Sequence, residues 1–406
     1  MKTVRLQFAL AVVFALLNTL PAPAQTLTTL CSLHLGYQVG YSLPFPALVQ
    51  GNDGNFYGTT YQAQTSPSGT VFKVTPSGTF TILHNFASDT DGTFPRAALL
   101  QARDGNFYGT TDAGGKYNSG TIFKITPSGT LTTLHSFEGH GDAGGHFPHV
   151  TELVQGRDGD LYGTIRCVKG VHDYGTIFRI TTAGAFTSLH SFTNDTDGFW
   201  PSPLVQGKDG NLYGVTSSDK LGAGTVFRVT PTGKLTTLYC FAGTFDGGHP
   251  SNPLVQGADG NFYGTTEMGG GPYNSGTIFK ITPTGNLTVL RSLGMDTQSS
   301  QFSALVLGRD GNCYGTSSQP QRDYLATIFR ITPTGAFTNL HYFTSPHSTL
   351  NGPNTSTGVA MPSALVQGRD GNFYAMAFGG CSSSGPIPTH IPSVCATIFR
   401  FSPAPK

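Results

Sequence analysis

Asp104-Gly105-Asn106-Phe107-Tyr108-Gly109 is the stretch whose recurrence decides the fold. Near-copies begin at Asp53, Asp158, Asp209, Asp259, Asp310 and Asp370, spaced about 50 residues apart, so the chain is an array of like units. The second copy shows what one unit holds. A short run, Ala98-Leu99-Leu100-Gln101, precedes the turn at Asp104-Gly105, and Asn106 to Thr111 forms a second run with Phe107 and Tyr108 on opposite faces. A Gly-rich loop leads to a third run, Gly120 to Ile125. The turn Thr126-Pro127-Ser128-Gly129 then has Pro and Gly where a tight turn wants them, before a fourth run, Thr130 to Phe137. We label the four strands a, b, c and d.

Beyond residue 24 no segment keeps a 3.6-residue apolar period for three turns, whereas β-branched and aromatic runs of strand length recur throughout. The fold class is therefore all-β. Repeat cores lie near 47–86, 98–137, 152–192, 203–241, 253–293, 304–343 and 364–401, within one domain, 25–406. The termini separate an open solenoid from a closed ring. The last repeat stops after a strand c, Ala396 to Phe401, and has no strand d. Thr26-Leu27-Thr28-Thr29-Leu30-Cys31-Ser32-Leu33 reads like the strand d Thr130 to Phe137. A ring in which the N-terminal strand completes the last unit leaves no open edge, and a seven-bladed β-propeller is expected.

The blocks Gly120-Thr121-Ile122-Phe123-Lys124-Ile125-Thr126-Pro127 and Asp104-Gly105-Asn106-Phe107-Tyr108-Gly109-Thr110-Thr111 resemble the GloVer-type tandem-repeat proteins, exported bacterial proteins with varied C-terminal anchors. The resemblance covers roughly residues 26–402. It implies secretion and a propeller-like array, and it carries over no activity and no catalytic residue. After Pro403 no apolar tail of the anchored members follows, so attachment by that route is not expected.

Composition agrees with a packed β protein. Charged residues are 11% of 406, with 54 Gly, 29 Phe and 16 Tyr, which is too aromatic for a disordered chain. Net charge is +1 without a Lys/Arg cluster, so no nucleic-acid partner is expected. Lys2 and Arg5, the apolar run Leu6 to Leu17 and Ala22-Pro23-Ala24 read as a signal peptide over 1–24. No apolar segment long enough to span a membrane follows it. The mature chain is expected to be secreted, extracellular or periplasmic, and monomeric. Export permits disulfides. Cys381 and Cys395 bound a long loop and are the first pair considered. Cys31–Cys395 is the rival, because Cys31 is expected opposite Ala396 in the closing strand.

In antiparallel order, the a–b and c–d turns share one end of the ring and are nearly uniform. The b–c loops and d-to-a connections share the other end and vary, which is where a rigid scaffold carries function. The Asp of each a–b turn and the late Lys or Arg of each strand c are read as turn chemistry rather than a charged binding ring. His84, His135, His190 and His341 share one position of strand d in different blades, too far apart to ligate one metal. The connections on the variable side are richer: Asp89, Asp91 and Phe94; Asp142, His146 and Phe147; Asp195, Asp197 and Trp200; Asp246 and His249. Acids beside an aromatic platform suit a polysaccharide, since a ring covers an apolar sugar face while carboxylates take hydroxyls. A protein partner fits the same face. Asp-x-Asp-Gly is also a fragment of a calcium loop without its later ligands, so calcium is the only cofactor these loops suggest.

No G-x-S-x-G, H-E-x-x-H or phosphate-binding glycine motif occurs, and glutamate is confined to Glu138, Glu152 and Glu267. A non-catalytic binding propeller is the first expectation. An extracellular glycan hydrolase or lyase using loop Asp residues is the second, and a structural surface component the third.

Overall fold

The computed structural model describes residues 25–34, 47–61, 66–87, 90–138, 149–166, 174–193, 196–293, 301–318, 324–344, 358–360, 363–380 and 394–403. Residues 1–24, read above as a signal peptide, and Cys167 and Cys381 lie outside these. Seven small antiparallel sheets form a ring, a seven-bladed β-propeller, and no helix occurs among the described residues. In blade 2 the strands are Leu100–Gln101, Phe107–Thr111, Thr121–Ile125 and Leu131–Ser136, hydrogen-bonded in that order. The inner strand is interrupted in four blades. There a short lead-in strand (His149–Val150, Phe199–Pro201, Gln301–Phe302, Gly358–Ala360) pairs with the far end of strand b before strand a pairs with its near end. Isolated bridges, Thr93↔Ala113 and Gly248↔Met268, do the same in blades 2 and 5.

The repeated hexapeptide joins each blade to both of its neighbours. Strand alternation sends Phe107 back onto Tyr57 of blade 1, ring centroids 4.0 Å apart, and Tyr108 forward into the cluster that holds Leu161 of blade 3. Phe56 meets Tyr374 at 4.1 Å and Phe262 meets Tyr213 at 4.1 Å in the same way. Gly109 follows because strand c's Phe123 crosses there: a Cβ would stand 2.5 Å from its ring. Each turn Asp is held inside its own blade. Asp104 accepts from Asn106 N at 3.1 Å, from Asn106 Nδ2 at 2.9 Å and from the Tyr108 hydroxyl at 2.7 Å.

Glutamines on strand a tie neighbouring blades on this uniform side. Gln101 donates to Gly105 O of its own turn and accepts from Asn52 N of blade 1 at 2.8 Å. Arg369 N donates to Gln50 at 2.8 Å, joining blade 7 to blade 1.

Thr26–His34 pairs antiparallel with Val394–Ser402, which supplies the last blade's strand d from the other end of the chain. The register differs from the expected one. Ile398, not Ala396, faces Cys31, and Cys395 faces His34. In blade 2 His135, at the same strand position as Cys31, faces Ile122. A bulge in each c–d pair, here between Thr29 and Cys31, accounts for one residue of this two-residue shift. The c–d turn, which closes three residues between Thr126 and Thr130, accounts for the other. Cys31 is a free thiol and stands three residues along the strand from the one opposite Cys395, about 10 Å away, which removes the Cys31–Cys395 bridge. Cys381–Cys395 falls outside the described residues.

The turn acids predict the response to pH. Burial raises the carboxyls of Asp53, Asp104, Asp209, Asp259 and Asp370, but hydrogen bonds from Tyr and Asn outweigh it and leave each below the ordinary value. A depressed folded value contributes stability above the unfolded value, about 3.9, and loses it as pH falls through the folded value. The melting midpoint should therefore be flat from neutral pH to about 4 and decline below it. A midpoint already falling between about pH 6 and 5 would assign acid sensitivity to other groups.

Candidate functional site on the variable face

Pro95, Pro201 and Pro250 stand late in three d-to-a connections, shortly before strand a, and the residue before each has a left-handed backbone. φ is 60° at Phe94, 58° at Trp200 and 53° at His249. Bulky residues rarely adopt this region, and a following Pro disfavours it further, so the surrounding structure imposes it. Phe94 N donates to Ser68 O of the preceding blade at 2.9 Å, Trp200 N to Tyr174 O at 2.9 Å, and His249 N to Ala223 O at 2.8 Å. Their carbonyls accept from the end of strand b in their own blade: from Asp112 N, Ser217 Oγ and Glu267 N. Each ring is thus fixed across the seam between two blades. Phe94 stacks on Tyr61, centroids 4.8 Å apart, whereas Trp200 is 48% exposed and meets the Phe199 ring edge-on.

The acids of these connections have a different task. Asp91 Oδ2 lies 2.6 Å from His84 Nε2 while Oδ1 accepts from Ala87 N at 2.8 Å. Asp197 accepts from Thr193 N and lies 3.1 Å from His190 Nε2, and Asp246 accepts from the Tyr239 hydroxyl at 3.0 Å and from Ala242 N. These three carboxylates reach back to strand d and close their own turns. The spacing of seven residues between His84 and Asp91, His190 and Asp197, and Tyr239 and Asp246 was the legible signal of this pairing. Asp89, Asp142, His146, Phe147 and Asp195 lie outside the described residues. No group of three or more His, Cys, Asp or Glu is placed to hold a metal ion among the described residues.

A second set of side chains, nearer the channel, was not singled out from sequence. The residue that follows the uniform part of strand b is Tyr61, Asp112, Arg166, Ser217 and Glu267 in blades 1 to 5. The scaffold repeats and this position does not, which was its sequence signal. Tyr61, Asp112 and Arg166 meet the lead-in of a following blade, whereas Ser217 and Glu267 meet that of their own. Arg96 lies over the Tyr61 ring at 5.4 Å and its Nε is 3.1 Å from Asp112 Oδ2. His149 Nδ1 lies 3.4 Å from the same oxygen, and His149 is the cross-strand partner of Arg166. Arg166 Nε donates to Pro201 O at 2.9 Å, and Nη2 reaches past blade 4 to Ser251 O at 3.2 Å. Ser251 Oγ in turn donates to the Glu267 carboxylate. Burial pushes the Arg166 guanidinium down from its ordinary value, and the charge of Glu267 opposes this. The result is a polar arc around the channel mouth from blade 1 to blade 5.

Glu152 lies just before a buried leucine, where the other blades carry Ala47, Ala98, Pro203, Pro253, Ala304 and Ala364. Burial pushes its carboxyl up, partly offset by a hydrogen bond from Ala98 N. Exposed apolar side chains add to this face: Leu221 at 80% and Phe245 at 77%, with Tyr117, Met268 and Tyr273.

The Gloeobacter/Verrucomicrobia repeat matches residues 13–219 and 167–387, which together span most of the chain. The chain belongs to that family. Among curated proteins none matches it. Within solved structures this member of the repeat family is similar to the extracellular domain of a hybrid two-component system from B. thetaiotaomicron, at 13% identity and a TM-score of 0.57. That match covers 94% of this chain and 43% of the other, so the chain spans less than half of its length. It is similar also to a polysaccharide lyase, at 11% identity and a TM-score of 0.52, over 89% of this chain and 91% of that one. Both likenesses show the fold alone. No helix among the described residues is long and apolar enough to cross a membrane.

Proposed function

We propose that this repeat-family member is an exported, non-catalytic propeller that binds a polysaccharide across its variable face. The observation that carries this reading is Trp200, the single tryptophan, half exposed and fixed in a left-handed backbone across a blade seam. A flat ring that the protein holds rigid and leaves uncovered is a platform for the apolar face of a sugar, and its order is imposed before binding. Polar groups of the inner arc stand ready for hydroxyls. Export follows from the basic and apolar segment within residues 1–24.

Because Trp200 is the only indole, intrinsic fluorescence reports directly on this platform. Titration with a panel of polysaccharides should quench or shift the emission for at least one of them. Trp200→Ala should weaken that ligand about tenfold by calorimetry, the worth of one ring contact and its burial. Unchanged emission with every polymer, or unchanged affinity in the variant, would refute the proposal. A glycan-active enzyme is the second reading, favoured by His149 beside Asp112, a pair in which a carboxylate orients an imidazole. Release of new sugar ends during the same incubation, lost in His149→Ala, would decide for it.

A further inference from the structure

Asp112 has two neighbours within ion-pair distance, Arg96 and His149. Arg166, the other arginine of the arc, has no described carboxylate within 4.0 Å; Glu267 acts on it only through space. Two of its donors are committed to the carbonyls of Pro201 and Ser251, which fix the plane of the guanidinium between blades 3, 4 and 5. Guanidinium carries five N–H hydrogens, and no described residue accepts from Nη1. A half-buried cation, locked in place and left with open donors, is stabilised by an oxyanion that enters beside it. Pro201, the carbonyl that holds it, directly follows Trp200, so the platform and the cation belong to one seam.

We propose that Arg166 is the anion subsite of the variable face and takes the carboxylate of a uronic acid unit in an acidic polysaccharide. The inference rests on the glycan-binding reading above and names its substrate class. A planar carboxylate matches the planar guanidinium edge in a two-point contact, and a lysine there would supply charge without that fork. Ion recognition of this kind also weakens with salt.

The test compares polygalacturonate, the same polymer with its carboxyls reduced, and dextran sulfate, on the full mature chain by calorimetry. At low ionic strength polygalacturonate should bind the wild-type protein at least about tenfold more tightly than its reduced counterpart, the difference shrinking in about 1 M NaCl. Arg166→Met should erase the preference, and Arg166→Lys should restore part of it. The wild-type comparison needs no variant and stands if Arg166→Met does not fold. Equal affinity for the acidic and reduced polymers overturns this inference and leaves glycan binding intact. Binding of dextran sulfate with no preference for polygalacturonate overturns the carboxylate assignment. No binding of any polymer refutes the glycan reading itself.

Discussion

Deleting residues 25–34 lowers the unfolding midpoint by more than about 10 °C and makes the protein associate. The strand Thr26–His34 pairs along the whole of Val394–Ser402, and its Leu27, Leu30 and Cys31 pack on two hydrophobic clusters. One of those clusters joins Tyr374, Met376 and Ile398 of blade 7 to Leu48, Phe56 and Phe72 of blade 1. Three partly buried apolar side chains and a ladder of eight residue pairs contribute on the order of 5 kcal/mol. That converts to more than about 10 °C at the roughly 2–4 °C per kcal/mol of large domains. The exposed edge of 394–402 would then offer unpaired backbone groups to a second molecule. Differential scanning and size-exclusion chromatography measure both effects. A synthetic peptide of residues 25–34 added in trans should restore the midpoint. A truncated chain that melts where the full one does, as a single species, would show that the ring does not depend on its terminal strand.

Phe107→Ala should cost about 3–5 kcal/mol in urea unfolding, because it empties a fully buried site between two blades. Phe107 is 1% exposed, touches Tyr57 across the seam, and shares a cluster with Leu99, Phe123 and Ile125. Phe107→Leu should cost less than about 1.5 kcal/mol, since an aliphatic residue of similar volume still fills the seam. The protein contains its own control: Leu161 and Leu212 occupy this position in blades 3 and 4, both fully buried. Equal losses for alanine and leucine would mean that aromatic stacking, not volume, governs the seam.

Much of the architecture was legible because a repeat states its rules several times. The hexapeptide gave blade number, strand order and the opposed faces of Phe and Tyr, since local turn chemistry and a period of two fix all three. The register of the closing strand was not legible. A bulge adds one residue to strand d, and only the paired backbone shows where it falls. The candidate site divides in the same way. Phe94, Trp200 and His249 were marked by their place before Pro, but their left-handed backbone comes from hydrogen bonds to a neighbouring blade. Asp91, Asp197 and Asp246 looked like ligand acids, yet folding brings His84, His190 and Tyr239 within reach of them, and the pairs close the turns.

By itself the sequence determined that this protein is all-β, built of seven units, with a uniform side and a variable side, because those properties follow from turns, alternation and repetition along one strand path. The tertiary structure alone decided which polar residues face one another. Ser251 and Glu267 lie about 85 and 100 positions beyond Arg166 in sequence. Only the closure of the blades around a channel brings their side chains to one mouth, where no described residue accepts from Nη1 of Arg166.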